Sequence, residues 1–262
     1  MRIYLEIARL AIHQQLAYRA ATLAGLFTNS VFGVILGSVM LGFYGSVEGD
    51  CVNGWSPDDA ITLIWINQSL LVVMYLWGWW DVSRTIQTGA IASDFLRPIS
   101  WYGLWLSRDF GRALPAIFLR MVPTLAIGWL LFDISLPATP ARGLWFLIAV
   151  VLGVWVSFSI RLLSNLLAFW LIDHRGLAAV WLTLTTFLSG MAMPIAFFPE
   201  PLRTIAELLP FQAVLMSPIN TWLGKGDPLL IIAVQMIWIV ALVILCSIAL
   251  KRGERRLVVQ GG

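Results

Sequence analysis

The sequence has few charged residues. Asp, Glu, Lys and Arg make up 12% of its 262 residues, against about 25% in an ordinary soluble domain. A water-facing surface needs more charge than this, so the composition excludes a soluble globular enzyme, a disordered chain and a nucleic-acid-binding protein. The net charge of +3 is too small to indicate a polyanionic partner.

Motifs that would indicate catalysis are also lacking. The sequence contains no phosphate-binding G-x-x-x-x-G-K-[ST] loop, no H-E-x-x-H and no G-x-S-x-G. The histidines His13 and His174 have no nucleophile beside them, and the cysteines Cys51 and Cys246 have no metal-binding or disulfide spacing. We therefore predict no catalytic residue, no metal site and no cofactor held by this chain.

Apolar residues, in contrast, make up 60% of the chain, and the mean hydropathy is +0.85. A membrane-spanning helix needs about 20 of them in a row. The sequence thus predicts an all-α integral membrane protein with a single membrane domain and no soluble domain. Its six predicted transmembrane helices are residues 20–44, 60–80, 113–132, 144–172, 176–198 and 228–250.

The positive residues predict the orientation of these spans. If the N-terminus is cytoplasmic, twelve Lys and Arg residues lie on the cytoplasmic side, and only Arg142, Arg203 and Lys225 lie in outer loops. Positive residues concentrate on the cytoplasmic side of membrane proteins. We therefore predict a multi-pass protein of the inner (plasma) membrane with both termini cytoplasmic. The first apolar run has no small-residue cleavage site behind it, so we expect it to be retained as a span.

An amphipathic helix is predicted over residues 1–19. Arg2, Glu6, Arg9 and His13 follow one another at intervals of 4, 3 and 4, which places them on one helical face. Such a helix lies at the membrane surface with its polar face toward water. It is either a simple anchor or an elbow helix that also contacts a cytoplasmic partner.

The longest cytoplasmic segment contains IQTGAIASDFLRPIS, from Ile86 to Ser100. Its apolar residues predict one side of a short helix, which would end before a proline because the residue preceding proline avoids helical geometry. Nothing in this segment would bury that apolar side. The helix would either fold back on the bilayer or dock into a cytoplasmic partner.

Residues 190–227 carry five prolines, which separate apolar pieces too short to span a membrane. This pattern predicts re-entrant or interfacial helices on the outer side, within residues 199–222. The alternatives are an ordinary structured loop and an outer gate over a translocation path.

Several polar residues fall inside the predicted spans, where they usually face the interior of the bundle. They either line a pathway or bond one helix to another. Of these residues, Arg120 and Arg161 cost the most free energy to place inside a membrane. Each would reach the headgroups, pair within the bundle or contact a polar or anionic substrate. The candidate pathway-lining residues are Asn67, Gln68, Thr183, Thr186, Ser189 and Arg161.

Taken together, the chain resembles the membrane subunit of an ABC transporter of the ABC-2 (export) class, and within it the viologen or daunorubicin-type multidrug exporter permeases. The resemblance rests on LAYRA (Leu16 to Ala20), on IQTGAIASDFLRPIS with its Gly89, Leu96, Arg97 and Pro98, on FFPEPL followed by LPF, and on the terminal LVVQGG. It covers essentially the whole chain.

The resemblance implies roles for three segments. Residues 1–19 would be the elbow helix, 199–222 the outer re-entrant helices, and 84–98 the coupling helix that docks into a separate ABC ATPase subunit. ATP and Mg would be bound in that subunit, so this chain would not be an enzyme. The residues implied in coupling are Ile86, Gly89, Ile91, Phe95, Leu96, Arg97 and Pro98.

A second permease chain, identical or related, would complete the translocation pathway, and membrane lipid would be the other partner, with no nucleic acid bound. Two other functions stay open at this point. One is a membrane scaffold or assembly protein without transport activity. The other is a secondary carrier, which the sequence disfavours because the predicted spans contain no acidic residue away from their ends.

Overall fold

The computed structural model describes residues 2–47, 51–76, 79–171 and 175–256. Within these ranges the chain forms twelve α-helices, and its only β-structure is an isolated bridge between Val52 and Trp55. The helices are α1 (Arg2–Ala17), α2 (Arg19–Ser46), α3 (Pro57–Met74), α4 (Asp81–Gln87), α5 (Ile91–Phe95), α6 (Trp101–Ala116), α7 (Val122–Phe132), α8 (Pro140–Leu166), α9 (Arg175–Leu188), α10 (Glu200–Leu208), α11 (Gln212–Leu223) and α12 (Pro228–Glu254).

Four helices of the described residues are long and apolar enough to cross a membrane. They are Arg19–Ser46, Trp101–Phe132, Pro140–Phe169 and Pro228–Glu254. The second combines α6 and α7 through a π-helical segment, Ile117–Met121. These four helices support a multi-pass membrane protein. They contain the first, third and sixth predicted spans and the fourth as far as Phe169; residue 172 of the fourth lies outside the described residues.

The other two predicted spans form shorter helices. Residues 60–80 correspond to α3, which ends at Met74 because Tyr75 adopts left-handed backbone angles with φ of 52°. Residues 176–198 correspond to α9, which ends at Leu188. At about 1.5 Å per residue, α9 is roughly 21 Å long, less than the roughly 30 Å of a bilayer core. The count of six spans therefore stays a prediction.

The centre of the bundle is formed by α3 and α8. Nearly every residue of α3 from Ala60 onward is buried, and α8 packs along α11 and α12. The outer helices α2 and α12 instead expose large apolar side chains, such as Phe27, which is 71% exposed. An apolar surface of this kind is stable only against lipid or another chain, as expected for a membrane protein.

A line of small residues on α2 allows its close approach to α3 and α7. Gly33 faces the Trp65 ring and Gly37 faces the Phe132 ring, each so closely that an added Cβ would press on the ring. Between these glycines and the start of α2, the Asn29 side chain donates a hydrogen bond to the Gln68 carbonyl at 2.9 Å. Small residues and interhelical hydrogen bonds are the usual means of helix packing in membranes.

The N-terminal helix α1 packs on α6. Gly111 lies against the backbone of Ala8, where a larger residue would not fit, and the backbone N–H of Ser100 donates to the Tyr4 hydroxyl at 2.9 Å. The predicted polar face of α1 is exposed. Its position at a membrane surface stays a prediction.

Candidate functional site

The segment predicted to be one coupling helix forms two short helices instead. Between α4 and α5, Gly89 adopts a left-handed conformation with φ of 72°. A left-handed glycine ends a helix because no Cβ opposes this conformation. The single helix predicted over residues 84–98 is therefore broken at Gly89, a signal already present in the sequence.

Most of the apolar side chains in this segment are buried within the chain. Ile86 and Ile91 belong to a core cluster with Phe158 and Trp101, and the Phe95 ring lies 6.2 Å from that of Trp101. The expectation that this face has nothing to pack against is wrong for these residues.

Leu96 differs, because it is 87% exposed, and its neighbours Arg97 and Pro98 are also exposed. Arg97 forms an ion pair at 3.4 Å with Asp94, whose side chain is mostly buried. Residues 96–98 thus form an exposed tip on a segment anchored by buried isoleucines.

A buried charge network lies where α3, α6 and α8 meet; it consists of Asp109, Arg112 and Arg161. A guanidinium nitrogen of Arg161 lies 2.8 Å from one carboxylate oxygen of Asp109, and one of Arg112 lies 3.2 Å from the other. Asp109 is 6% exposed and Arg161 5%. Buried charges are tolerated when they are paired and hydrogen-bonded in this way.

The same network closes the C-terminal end of α3. Arg112 donates to the carbonyl of Val72 at 2.6 Å and to that of Val73 at 3.1 Å, while the Ser157 hydroxyl donates to the carbonyl of Met74 at 2.7 Å. The last carbonyls of a helix have no partner within it, and a cation is favourable at this end. Arg112 and Ser157 therefore allow α3 to end inside the bundle.

Aromatic rings cover the two arginines of the network. The Tyr75 ring centre lies 4.4 Å from the guanidinium carbon of Arg112 and 5.4 Å from that of Arg161, and the Trp79 ring lies 5.3 Å from Arg161. These are cation–π distances. Beside the rings, a cavity of about 200 Å³ opens between α1 and α6.

Asn165 connects the network's helix α8 to the cytoplasmic segment. Its side-chain amide donates to the Trp79 carbonyl at 2.9 Å, and its side-chain oxygen accepts from the Ser83 backbone N–H at 3.0 Å. Asn165 lies one helical turn beyond Arg161, whose carbonyl also accepts from the Asn165 amide. The base of α4 is thus bonded to the helix that carries the buried ion pair.

The predicted pathway-lining residues do not share one surface. The Asn67 amide donates to the carbonyl of Gly190 at 3.1 Å, and Gln68 and Ser189 are buried. Thr183 is exposed on α9 with its hydroxyl bonded to the carbonyl of Ala179, and Thr186 is partly buried. Asn67 therefore bonds one segment to another in this structure, and the pathway role of the set stays a prediction.

Sequence reasoning missed Asp109. The predicted spans leave this residue in a cytoplasmic segment, whereas the structure places it in the long helix Trp101–Phe132, so a long apolar helix does contain a buried acid. The spacing of three between Asp109 and Arg112 is a signal for the shorter-range pair. The sequence contains no comparable signal for the pair with Arg161, since those residues are distant along the chain.

Long apolar helices packed around a buried charge network define an all-α integral membrane protein. A sequence profile described as ABC-2 family transporter protein matches residues 31–261. The chain belongs to this family, whose members are membrane permeases of ABC transporters, generally non-catalytic, with the ATPase in a separate subunit. No curated protein and no solved structure shows significant similarity to the chain.

Proposed function

We propose that the chain is the permease subunit of an ATP-driven ABC exporter for drug-like compounds in the inner membrane. It forms half of a translocation pathway with six spans and cytoplasmic termini, and it couples to a separate ATPase subunit. The observation that carries this proposal is the family match together with the exposed tip at residues 96–98.

The tip has the features that a docking element needs. Leu96 is almost completely exposed, whereas Ile86 and Ile91 fix the segment to the core. An exposed apolar side chain on a rigid support binds a partner without first having to be ordered. ATP-driven movement of the partner would push on α4 and α5, and the hydrogen bonds of Asn165 would carry that push to α8.

The pathway would form between two permease chains. The exposed apolar surfaces of α2 and α9 are available for lipid and for a second chain, and α9 carries the exposed Thr183. Rigid-body movement of the two chains would open the path alternately to the two sides of the membrane. The segment 199–222, with α10 and α11, would close the outer end.

Replacing Leu96 by Asp tests the docking assignment. We expect ATP-hydrolysing activity to co-purify with the tagged wild-type chain and to be lost with L96D. The yield of the membrane-inserted chain should be unchanged, because the Leu96 side chain is almost completely exposed. Leu208→Asp is the matched control, since Leu208 is an exposed leucine on α10. Normal recovery of ATPase activity with L96D would show that residues 96–98 are not the docking tip.

One observation bears on the carrier alternative, which requires a buried acid. Asp109 is such an acid, but two guanidinium groups neutralise it. It is therefore not a free carboxylate that would accept a transported cation. Transport that persists after ATP depletion and stops when the ion gradient collapses would favour the carrier, and stable complexes without any transport would favour the scaffold.

A further inference from the structure

Arg120 is an arginine of a candidate membrane span, and none of the described acidic residues pairs with it. It lies in the π-helical segment of the candidate span Trp101–Phe132, about 10 Å beyond Ala113 at a rise of about 1.5 Å per residue. Its Nε is buried and makes no hydrogen bond, and in the part of the chain that the structure covers no ion pair joins its guanidinium to a carboxylate. An arginine at such a depth is costly and indicates a functional site.

The neighbouring helix makes room for this guanidinium. Gly25 of α2 faces it so closely that an added Cβ would overlap the guanidinium nitrogens. Gly25 lies about 8 Å beyond Ala20, where the first predicted span begins, and Arg120 lies about 10 Å beyond Ala113, where the third predicted span begins, so Gly25 and Arg120 have similar depths in those predicted spans. The position of the side chain is therefore defined by packing.

The backbone around Arg120 departs from a regular helix. Pro115 and Pro123 lie on either side of the π-helical segment, and neither has an N–H to donate. One-turn π segments inside α-helices occur frequently at functional sites. Here the segment sets the direction in which Arg120 leaves the helix.

Two more unpartnered donors lie on the same side of the helix. Thr124, one turn beyond Arg120, is fully buried, and its hydroxyl makes no hydrogen bond. The ring of Trp65 on α3 packs against Gly128, one further turn along, and its N–H is also buried without a partner. This side of the helix therefore has a positive charge and two hydrogen-bond donors without acceptors among the described residues. Arg120 is the member of this set that a ligand in the bilayer reaches, because Thr124 and Trp65 are fully buried.

We propose that Arg120 binds the anionic oxygen group, of the phosphate class, of an amphiphile embedded in the membrane. Arg120 is only partly buried, and the flanking Phe118 and Leu119 are exposed, so a ligand in the bilayer has access to the guanidinium. A planar guanidinium matches two phosphate oxygens at once. The anion comes either from a lipid headgroup or from a transported amphiphile, and the site requires only that the chain lies in a membrane.

The test uses the full chain purified in neutral detergent. The probe is the anionic lipid palmitoyl-oleoyl-phosphatidylglycerol, and native mass spectrometry counts the lipid that stays bound during a titration. We expect R120Q to weaken the tightest binding event about tenfold or more, because a charge-assisted hydrogen bond is lost. R120K keeps the positive charge but not the planar guanidinium that binds two oxygens at once, so it should weaken lipid binding by a smaller factor.

Two further variants separate the site from general charge effects. R252Q removes an exposed arginine near the end of α12 and should change binding less than twofold. G25A keeps Arg120 but displaces its guanidinium, and it should weaken binding about threefold. Equal binding by R120Q and wild type, or an equal loss in R252Q, would overturn the proposal.

Competition identifies the source of the anion. Dodecyl phosphate is added to the lipid-bound chain, with dodecanol as the uncharged control. Displacement by dodecyl phosphate alone would support the site and assign it to a single-chain, transportable amphiphile. Retention of the lipid, with binding still dependent on Arg120, would support the site and identify its ligand as a lipid headgroup of the membrane. Displacement by both compounds alike would contradict recognition of the anion.

Discussion

The two arginines that the sequence places inside the membrane have opposite environments. Arg161 is almost fully buried, with Asp109 at 2.8 Å and the rings of Tyr75 and Trp79 around it. Arg120 is only partly buried, and none of the described carboxylates pairs with it. Arg161 thus fixes a junction of helices, whereas the guanidinium of Arg120 stays available to a ligand. Hydropathy and position along a span do not distinguish the two.

The difference has a physical origin in the neighbouring helices. Near Arg161, the adjacent helix supplies Asp109, and the end of α3 supplies backbone carbonyls to Arg112. Both cations therefore face an opposite charge, although Nη1 of Arg161 is buried without a hydrogen-bond partner among the described residues. Near Arg120, α2 supplies a glycine, which gives space and no acceptor. A site that is closed by protein groups is structural, whereas one that is open and unpaired is suited to a ligand.

Among the variants that test this difference, Asp109→Ala is expected to change the unfolding free energy most. Removing the acid leaves Arg112 and Arg161 as buried, uncompensated charges, and such losses cost about 3–5 kcal/mol. We expect the unfolding free energy to fall by about that amount, with a strong loss of folded chain in the membrane. Thermal unfolding in detergent, with the yield of monodisperse chain, measures both.

Glu207→Gln is the control for this prediction. Glu207 forms an ion pair with Arg203 at 2.7 Å on α10, but both side chains are 47% exposed. Exposed pairs contribute about 0–1 kcal/mol, so E207Q should unfold close to wild type. A loss in E207Q equal to that in D109A would show that burial of the network is not the reason for its effect.

A direct test of the comparison is the same substitution at both arginines. Arg161→Leu leaves Asp109 with Arg112 as its remaining partner, so we expect a loss of about 2 kcal/mol of unfolding free energy. Arg120→Leu removes a charge that pairs with none of the described carboxylates, and in a neutral phosphatidylcholine bilayer it should raise stability by about 1 kcal/mol. The measurement is the shift of the unfolding midpoint for each variant in nanodiscs of that lipid.

Opposite signs for the two substitutions would establish that the arginines differ in kind. Losses of equal size would mean that Arg120 has a structural partner, and the distinction would then be wrong. Phosphatidylglycerol in the same nanodiscs should reverse the sign for Arg120→Leu and leave that for Arg161→Leu unchanged.

The sequence predicts the membrane-embedded class well because length and hydropathy determine it. The segments 20–44, 113–132 and 228–250 fall within long apolar helices of the structure, and 144–172 does so as far as Phe169. Helix ends inside the bundle are less predictable. α3 ends at Met74 because of bonds from Arg112 and Ser157, which are distant in sequence, so local patterns do not reveal this end.

In the candidate site, too, some features are predictable from the local sequence and others depend on distant residues. Gly89 and Pro98 are local signals for helix ends, but the prediction of one helix over residues 84–98 uses only the proline, and the structure shows a break at Gly89 as well. Burial of Ile86 and Ile91 depends on Phe158 of α8, which an amphipathic pattern alone does not identify. An exposed face of a short helix and a face covered by a distant helix have the same sequence pattern. Of the apolar side chains Ile86, Ile91 and Leu96, Leu96 is the one that is exposed as the pattern predicts.

The last expected effect is local and leaves the bundle folded; it concerns the link that Asn165 makes from the charge network to the cytoplasmic segment. Asn165→Ala removes the hydrogen bonds to the Trp79 carbonyl and the Ser83 N–H. Net contributions are about 1 kcal/mol for such a bond, so we expect α4 and α5 to lose about 1–2 kcal/mol of local stability while the bundle stays folded. Hydrogen exchange of the backbone amides in residues 81–95 measures this loss.

Thr183→Ala is the matched control, since the Thr183 hydroxyl bonds only within its own exposed helix, and its exchange in residues 81–95 should equal that of wild type. If Asn165 transmits movement as well as stability, N165A will bind the ATPase normally but couple its hydrolysis poorly to transport. Global unfolding in N165A, with uniform loss of protection, would instead assign Asn165 to the stability of the bundle. Because the tip at residues 96–98 stays intact in this variant, its outcome is independent of the L96D result and separates docking from transmission.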